Sequence, residues 1–221
     1  MTDEVPAGPP AVPATGFLRL LRGVATELPE HRDELNRLDA VAGDGDLGLT
    51  VTAACRALLD LAPTLDGMSE AAAIRACGME IAKKAPSTGG TLIAFALIGA
   101  AKAPVDAVGS GPGRATAYLD AATTTIAQRG QVTPGDRTML DALQPAADAL
   151  AAAAESGVDA AAAARTAASA ADAGAEATAR MPAKVGRAGW LADRAAGHED
   201  AGARLVALAI RAAARSIEAP G

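Results

Sequence analysis

The sequence is poor in aromatic residues: one Trp, one Tyr and two Phe, 2% of 221 positions. A core without large rings must be filled by small aliphatic side chains, and here Ala dominates an apolar fraction of 50%. Ala is the best helix former and lets helices approach closely. The composition therefore points to an all-α fold and away from a sheet. Cysteine is equally scarce. Cys55 and Cys77 both fall in apolar helical patterns, which favours buried free thiols over a disulfide. The longest apolar run, 91–101, falls short of the roughly 20 residues that a membrane helix needs. Positive charge is in deficit, with a net charge of −6 and a pI near 5.0, so nothing indicates a nucleic-acid surface. The opening MTDEVPAGPPAVPATG has neither the basic nor the apolar part of a signal peptide. It reads as a disordered Pro-rich tail over 1–14, ahead of one domain over 15–218. A cytoplasmic protein without membrane contact is the expectation.

Two motif absences narrow the chemistry. The chain nowhere reads GxxxxGK[ST], which excludes a Walker A phosphate loop. An EF-hand needs Gly at its sixth position and Glu at its twelfth. Counted from Asp44, those positions hold Leu49 and Cys55.

What the chain does have is LDAVAGDGDLGLTVT, from Leu38 to Thr52. Asp39, Asp44 and Asp46 stand within eight positions, interleaved with Gly43, Gly45 and Gly48. Glycine lets the backbone turn tightly enough to bring the carboxylates together. Carboxylates aimed at one spot repel, and a hard cation such as Mg²⁺ or Ca²⁺ relieves the repulsion. A helical pattern resumes behind Gly48, so free N–H groups of a helix start favour an anion beside that cation. Cation and anion together suggest a nucleotide phosphate. The same spacing also suits a loop whose Asp residues merely cap backbone N–H groups.

Apolar periodicity and breakers predict helices over 17–28, 31–38, 49–61, 69–84, 91–102, 114–129, 138–156, 158–180 and 201–217, about eight of them main helices. No strand is convincing. Polar, Gly-bearing segments lie between helices at the Asp cluster, at Pro86–Gly90, at Gly130–Met139 and at Arg187–Gly202. In a bundle running up and down, alternate loops gather at one end, which would place these four segments in one site.

Taken together, the four segments resemble those of the nucleotide-binding L subunit of dihydroxyacetone kinases. The family pattern of Asp, four residues and GD-x-DHG stands here as Asp39 and then Gly43-Asp44-Gly45-Asp46-Leu47-Gly48. A GGASG-like loop stands as Pro86-Ser87-Thr88-Gly89-Gly90. PGDKTMLD stands as Pro134-Gly135-Asp136-Arg137-Thr138-Met139-Leu140-Asp141. KGRASYLGERSIGHxDPGA corresponds to the stretch from Val185 through Arg187, Trp190 and Arg194 to His198, Asp200, Ala201, Gly202 and Ala203. The resemblance runs over about 15–218.

It implies a barrel of about eight antiparallel amphipathic helices with the nucleotide at one end. Asp39, Asp44 and Asp46 would hold two Mg²⁺ ions that bridge the phosphates of ADP or ATP. Leu47, Gly48, Leu49 and Thr50 would touch phosphate at the next helix start, and Thr88 and Gly89 would continue that cradle. Gly130 and Met139 would border the adenine. Arg187 would bind phosphate and is the candidate catalytic residue. The Asp200-Ala201-Gly202 turn would close over the nucleotide. Phosphoryl transfer suits such a site, since it needs positioning and charge neutralisation more than covalent protein chemistry.

The implied activity is phosphorylation of a small keto- or hydroxy-sugar, glycerone or a relative, held by a histidine on a separate K subunit. The phosphoryl donor is either free ATP or a phosphotransferase-system protein that recharges bound ADP; a homodimer is also compatible. The alternative is a nucleotide-loaded regulator that docks on another protein. Several positions depart from the family. Its His is Leu47, the Asn after it is Thr50, its loop Ser falls on Gly89 and its Pro after Asp is Ala201. His198 and Trp190 read as loop-structuring and packing residues, and Arg137 and Arg194 as paired or solvated rather than phosphate-facing.

Overall fold

The computed structural model describes residues 14–105, 111–186, 189 and 191–218. Among them no strand occurs, and the all-α reading holds. The helices are α1 (Thr15–Glu27), α2 (Arg32–Ala42), α3 (Leu47–Leu61), α4 (Glu70–Lys84), α5 (Thr88–Ala100), α6 (Pro112–Gly130), α7 (Leu140–Glu155), α8 (Ala160–Ala177), the short α9 (Ala192–Ala195) and α10 (Ala201–Glu218). From α3 to α8 each helix packs on the next, and α10 packs on both α8 and α1. Because α1 in turn lies against α3, the succession returns to its start.

Alanine does the packing that rings would do elsewhere. Ala142 and Ala146 of α7, Ala163, Ala167 and Ala171 of α8, and Ala203 and Ala207 of α10 form one buried cluster. Small side chains let the backbones close in. A Cβ added at Gly174 of α8 would lie 2.2 Å from the Asp141 carbonyl oxygen of α7. Pro145 has no N–H to offer that carbonyl from within α7, and α8 approaches closely there. Cys55 and Cys77 are buried free thiols, as expected, and burial pushes both up to about 11.

Among the element boundaries that differ from the sequence reading, two bear on the site. The second helix continues past Leu38 to Ala42. Its stop is Gly43, whose N–H bonds back to the Asp39 carbonyl. Asp39 is thus on the last helical turn, not in the loop. The helix expected from Thr91 begins at Thr88. Ser87 stands at the N-cap, and its hydroxyl accepts the Gly90 N–H at 3.0 Å. That bond turns Thr88, Gly89 and Gly90 from loop into the first turn of α5.

Candidate functional site

The carboxylate cluster forms as the spacing predicts. One oxygen each from Asp39, Asp44 and Asp46 lies within 4.8 Å of the others. Asp39 is half-buried and the other two are exposed. Asp39 serves the loop as well: its Oδ2 accepts the N–H of Gly45 at 2.8 Å and of Asp46 at 3.1 Å. Gly45 adopts φ +77°, where a side chain would be strained. The capping alternative therefore holds for Asp39. It does not hold for Asp46, which stands at the N-cap of α3 without a side-chain cap bond. Three acidic oxygens at this separation are a hard donor set that fits Mg²⁺ or Ca²⁺.

The first turn of α3 is pinned hard. The Gly48 N–H goes to Oδ1 of Asn36 at 2.8 Å, and the Thr50 N–H to the Asp46 carbonyl at 2.9 Å. Two of the amides expected for phosphate are therefore already engaged. The Leu47 and Leu49 amides and the Thr50 hydroxyl are what this turn can offer an anion. Asn36 was not among the candidates; its only sequence signal is its place one turn before Asp39 on the same helix face. A Cβ at Gly48 would lie 2.0 Å from the Arg32 carbonyl oxygen, so α3 crosses α2 in backbone contact.

The other segments converge on this end. Leu47, from the first turn of α3, and Ile93, from the second turn of α5, pack on one apolar cluster with Leu35 and Val51. Ile93 also packs on a second cluster, with Val132, Met139 and Leu140. A Cβ at Gly130 would meet Val132 and Leu92. Thr88 is exposed, and a Cβ at Gly89 would meet nothing within 4 Å, so the start of α5 faces open space. Buried Met139 lies near the start of α10: a Cβ at Gly202 would be 3.5 Å from its Cβ and 3.1 Å from Oδ1 of Asp200. Arg194 reaches the Ala40 carbonyl at 3.4 Å. Arg187 and Trp190 lie outside the described residues.

Asp200 and Asp141 organise the turn and the loop facing it. Asp200 caps α10, its Oδ1 accepting the Ala203 N–H at 2.8 Å. Its own N–H donates to the hydroxyl of fully buried Thr178 at 2.8 Å. Burial raises the Asp200 carboxyl to about 6, and nearby Asp141 adds to this; the Ala203 and Gly202 amides and the Arg137 guanidinium pull the other way. Buried Asp141 accepts the N–H groups of Gly135 and Thr138 and so shapes the 135–138 loop. Asp141 and Thr178 were also missed as site-shaping residues, because their partners come from backbone that only the fold brings near. Arg137 does not point at a phosphate: its Nη2 donates to the carbonyls of Ala195 and His198. His198 is exposed and supports the loop through its carbonyl. A surface groove of about 590 Å³ lies between α5 and α6 against Phe95, Ile98 and Arg129. None of the clustered carboxylates lines it.

Comparison with known proteins identifies the family. The family model described as DAK2 domain matches residues 41–215. That span contains Asp44 and Asp46 and begins two residues after Asp39. D-erythrulose kinase of Mycolicibacterium smegmatis is 35% identical over 199 residues, covering 89% of this chain and 34% of that protein. Human triokinase/FMN cyclase is 33% identical over 194 residues, covering 87% and 33%. The chain thus spans about a third of the length of the curated relatives it matches. The crystal structure of the dihydroxyacetone kinase of C. freundii superposes with a TM-score of 0.71 at 25% identity, covering 98% of this chain and 37% of that one. The same enzyme has been solved in complex with AMP-PNP and Mg²⁺, with the same TM-score. On the family match and on its kinase relatives, this chain belongs to the DAK2 domain family of the dihydroxyacetone and triose kinases.

Proposed function

We propose that this chain is the nucleotide-binding, phosphoryl-transfer unit of a dihydroxyacetone-kinase-type system. It holds ADP or ATP with two Mg²⁺ ions and acts on a small keto- or hydroxy-sugar presented by a K-type unit outside these 221 residues. The convergence of Asp39, Asp44 and Asp46 carries the reading. When bound there, Mg²⁺ would neutralise charge on the phosphate oxygens. Asp39 both holds the loop and offers an oxygen to the cluster. The Leu47 and Leu49 amides, Thr50, Thr88 and Gly89 line the phosphate side, and Arg187 supplies a guanidinium fork suited to phosphate. Gly130 and Met139 flank the base, with Asp200, Ala201 and Gly202 as the closing turn. The acceptor hydroxyl must come within about 3–3.5 Å of the phosphorus.

Neither histidine is placed to hold a carbonyl substrate. His31 is paired with Glu34 at 3.0 Å, and His198 belongs to the loop beside the closing turn. This supports a K-type partner that brings the substrate to the open end. The donor is free ATP or a phosphotransferase-system protein that recharges bound ADP.

The test titrates the chain with ADP and ATP, with and without Mg²⁺. It then assays phosphorylation of a ketose and polyol panel with the chain alone and with an added K-type subunit. Mg²⁺-dependent nucleotide binding and turnover only in the mixture are expected. Absence of nucleotide binding refutes the reading. Binding without turnover in any mixture supports the regulatory alternative instead.

A further inference from the structure

Arg137 is the only fully buried cationic side chain among the described residues, at 4% exposure. Its placement is costly in three ways. It adopts φ +63°, a left-handed conformation unfavourable for a side-chain-bearing residue. Its guanidinium is out of water. Its Nε is buried without a hydrogen-bond partner. The compensation is specific. Nη2 donates to the Ala195 carbonyl at 3.0 Å and the His198 carbonyl at 2.8 Å, both on the segment that leads into Asp200. The Asp200 carboxylate lies within its field.

The loop that carries Arg137 is itself fixed, through the bonds from Gly135 and Thr138 to Asp141. The segment it grips is fixed at its far end, through the Asp200 N–H to Thr178. Two residues after Arg137, Met139 lies where a Cβ added at Gly202 would come within 3.5 Å of it. A second tie, Lys184 to Asp136 at 3.0 Å, is exposed on the lysine side and so contributes little. The guanidinium is thus the buried bolt between the two walls that flank the proposed base site.

We propose that Arg137 is a positioning residue: it docks segment 195–202 on the 135–139 loop and thereby sets the base-side width of the nucleotide cleft, without touching phosphate. The inference rests on the nucleotide reading above. It assigns the same site a control point in a residue whose guanidinium is bound to backbone carbonyls of segment 195–198.

The test uses Arg137→Met and Arg137→Lys in the full chain. Adenosine and ADP affinities are measured by calorimetry or ligand-observed NMR, with and without Mg²⁺, and amide hydrogen exchange is followed over 196–203. For Arg137→Met, adenosine and ADP should weaken by the same factor, on the order of tenfold for a lost charge-assisted bond. The factor by which Mg²⁺ improves ADP binding should stay unchanged, and exchange over 196–203 should accelerate. Lysine, which keeps the charge and one reach to a carbonyl, should recover part of the affinity and protection. If Arg137→Met fails to fold, Arg137→Lys is read alone, with a smaller but equal loss for both ligands expected. A loss confined to ADP would make Arg137 a phosphate ligand and overturn the proposal. Affinities within twofold of the parent would overturn it too, leaving the nucleotide reading intact. A parent chain that binds neither ligand would remove both.

Discussion

Asp46→Asn should stabilise the chain in the absence of metal and abolish its response to Mg²⁺. The three carboxylate oxygens lie within 4.8 Å of one another. At that separation two unit charges repel by about 0.9 kcal/mol even in a water-like dielectric. Asp46 takes part in two such pairs, so removing its charge relieves about 2 kcal/mol. The substitution also forfeits a negative charge at the N-terminus of α3, a loss of about 0.3–1 kcal/mol. No side-chain cap bond is lost, because Asp46 makes none. The net gain is about 1 kcal/mol, or about 2–4 °C in Tm for a domain of this size. The assay is a thermal melt at low ionic strength, where screening is weakest, with EDTA and with a Mg²⁺ series. The parent should gain Tm with Mg²⁺, and Asp46→Asn should start higher and stay flat. Asp39→Ala is the internal contrast. It relieves the same repulsion but strips the acceptor from the Gly45 and Asp46 N–H groups, so it should melt below the parent. An apo Tm for Asp46→Asn equal to or below the parent's, or a surviving Mg²⁺ shift, would refute the reasoning.

Three further outcomes can be checked. Gly48→Ala forces a Cβ to within 2.0 Å of the Arg32 carbonyl, a backbone atom that cannot swing aside; circular-dichroism melts should show a loss of at least about 1–3 kcal/mol, the usual cost of overpacking. Asp200→Asn keeps the cap on Ala203 but removes a carboxyl whose folded-state value, about 6, lies above the ordinary 3.8. Ionising that group costs the folded state nothing below the ordinary value and progressively more as pH rises to about 6. The parent therefore loses stability across that window relative to Asp200→Asn, by an amount on the order of 2–3 kcal/mol at pH 7; parallel Tm-against-pH curves for the two proteins would contradict this. Arg187→Ala should weaken ATP more than adenosine, by about 1.5–3 kcal/mol per lost charge-assisted bond, with Lys restoring part of it; equal losses for both ligands would point to a folding role.

The helices were legible because their signals are local. Ala-rich periodic stretches, the Ser69 N-cap and glycine stops need nothing from the rest of the chain. The carboxylate cluster was legible for the same reason, since its three members lie on one short segment. The start of α5 was misjudged because Thr-Gly-Gly reads as a breaker until the Ser87 hydroxyl claims the Gly90 N–H. The role of Arg137 was not legible, since the carbonyls it grips are 58 and 61 positions away. The same holds for Thr178 and Asp200, 22 apart, and for Asn36 holding Gly48 across the helix corner. Side chains whose partners are distant backbone atoms leave no pattern in composition or periodicity.

Leu47 illustrates how a departure from the family pattern can be a substitution of one kind of anchoring for another. Where the family carries His, this chain carries a half-buried leucine packed on the cluster of Leu35, Val51 and Cys55. The first turn of α3 is thereby held from three directions: Leu47 by apolar contact, Gly48 by Asn36 and by backbone contact with Arg32, and Thr50 by its helical bond to Asp46. A polar side chain at this helix start has been exchanged for one that packs, in the turn that carries Asp46. In phosphoryl transfer, rigidity of the charge-bearing frame counts for as much as any single contact. The neighbouring Leu49 is 55% exposed at the same helix start. On the proposed reading, the polar contacts to phosphate fall to the Leu47 and Leu49 amides, Thr50, Thr88 and Arg187. The exchange leaves the three clustered carboxylates in place and, on the proposed reading, shifts phosphate recognition from a side chain in the turn to residues around it.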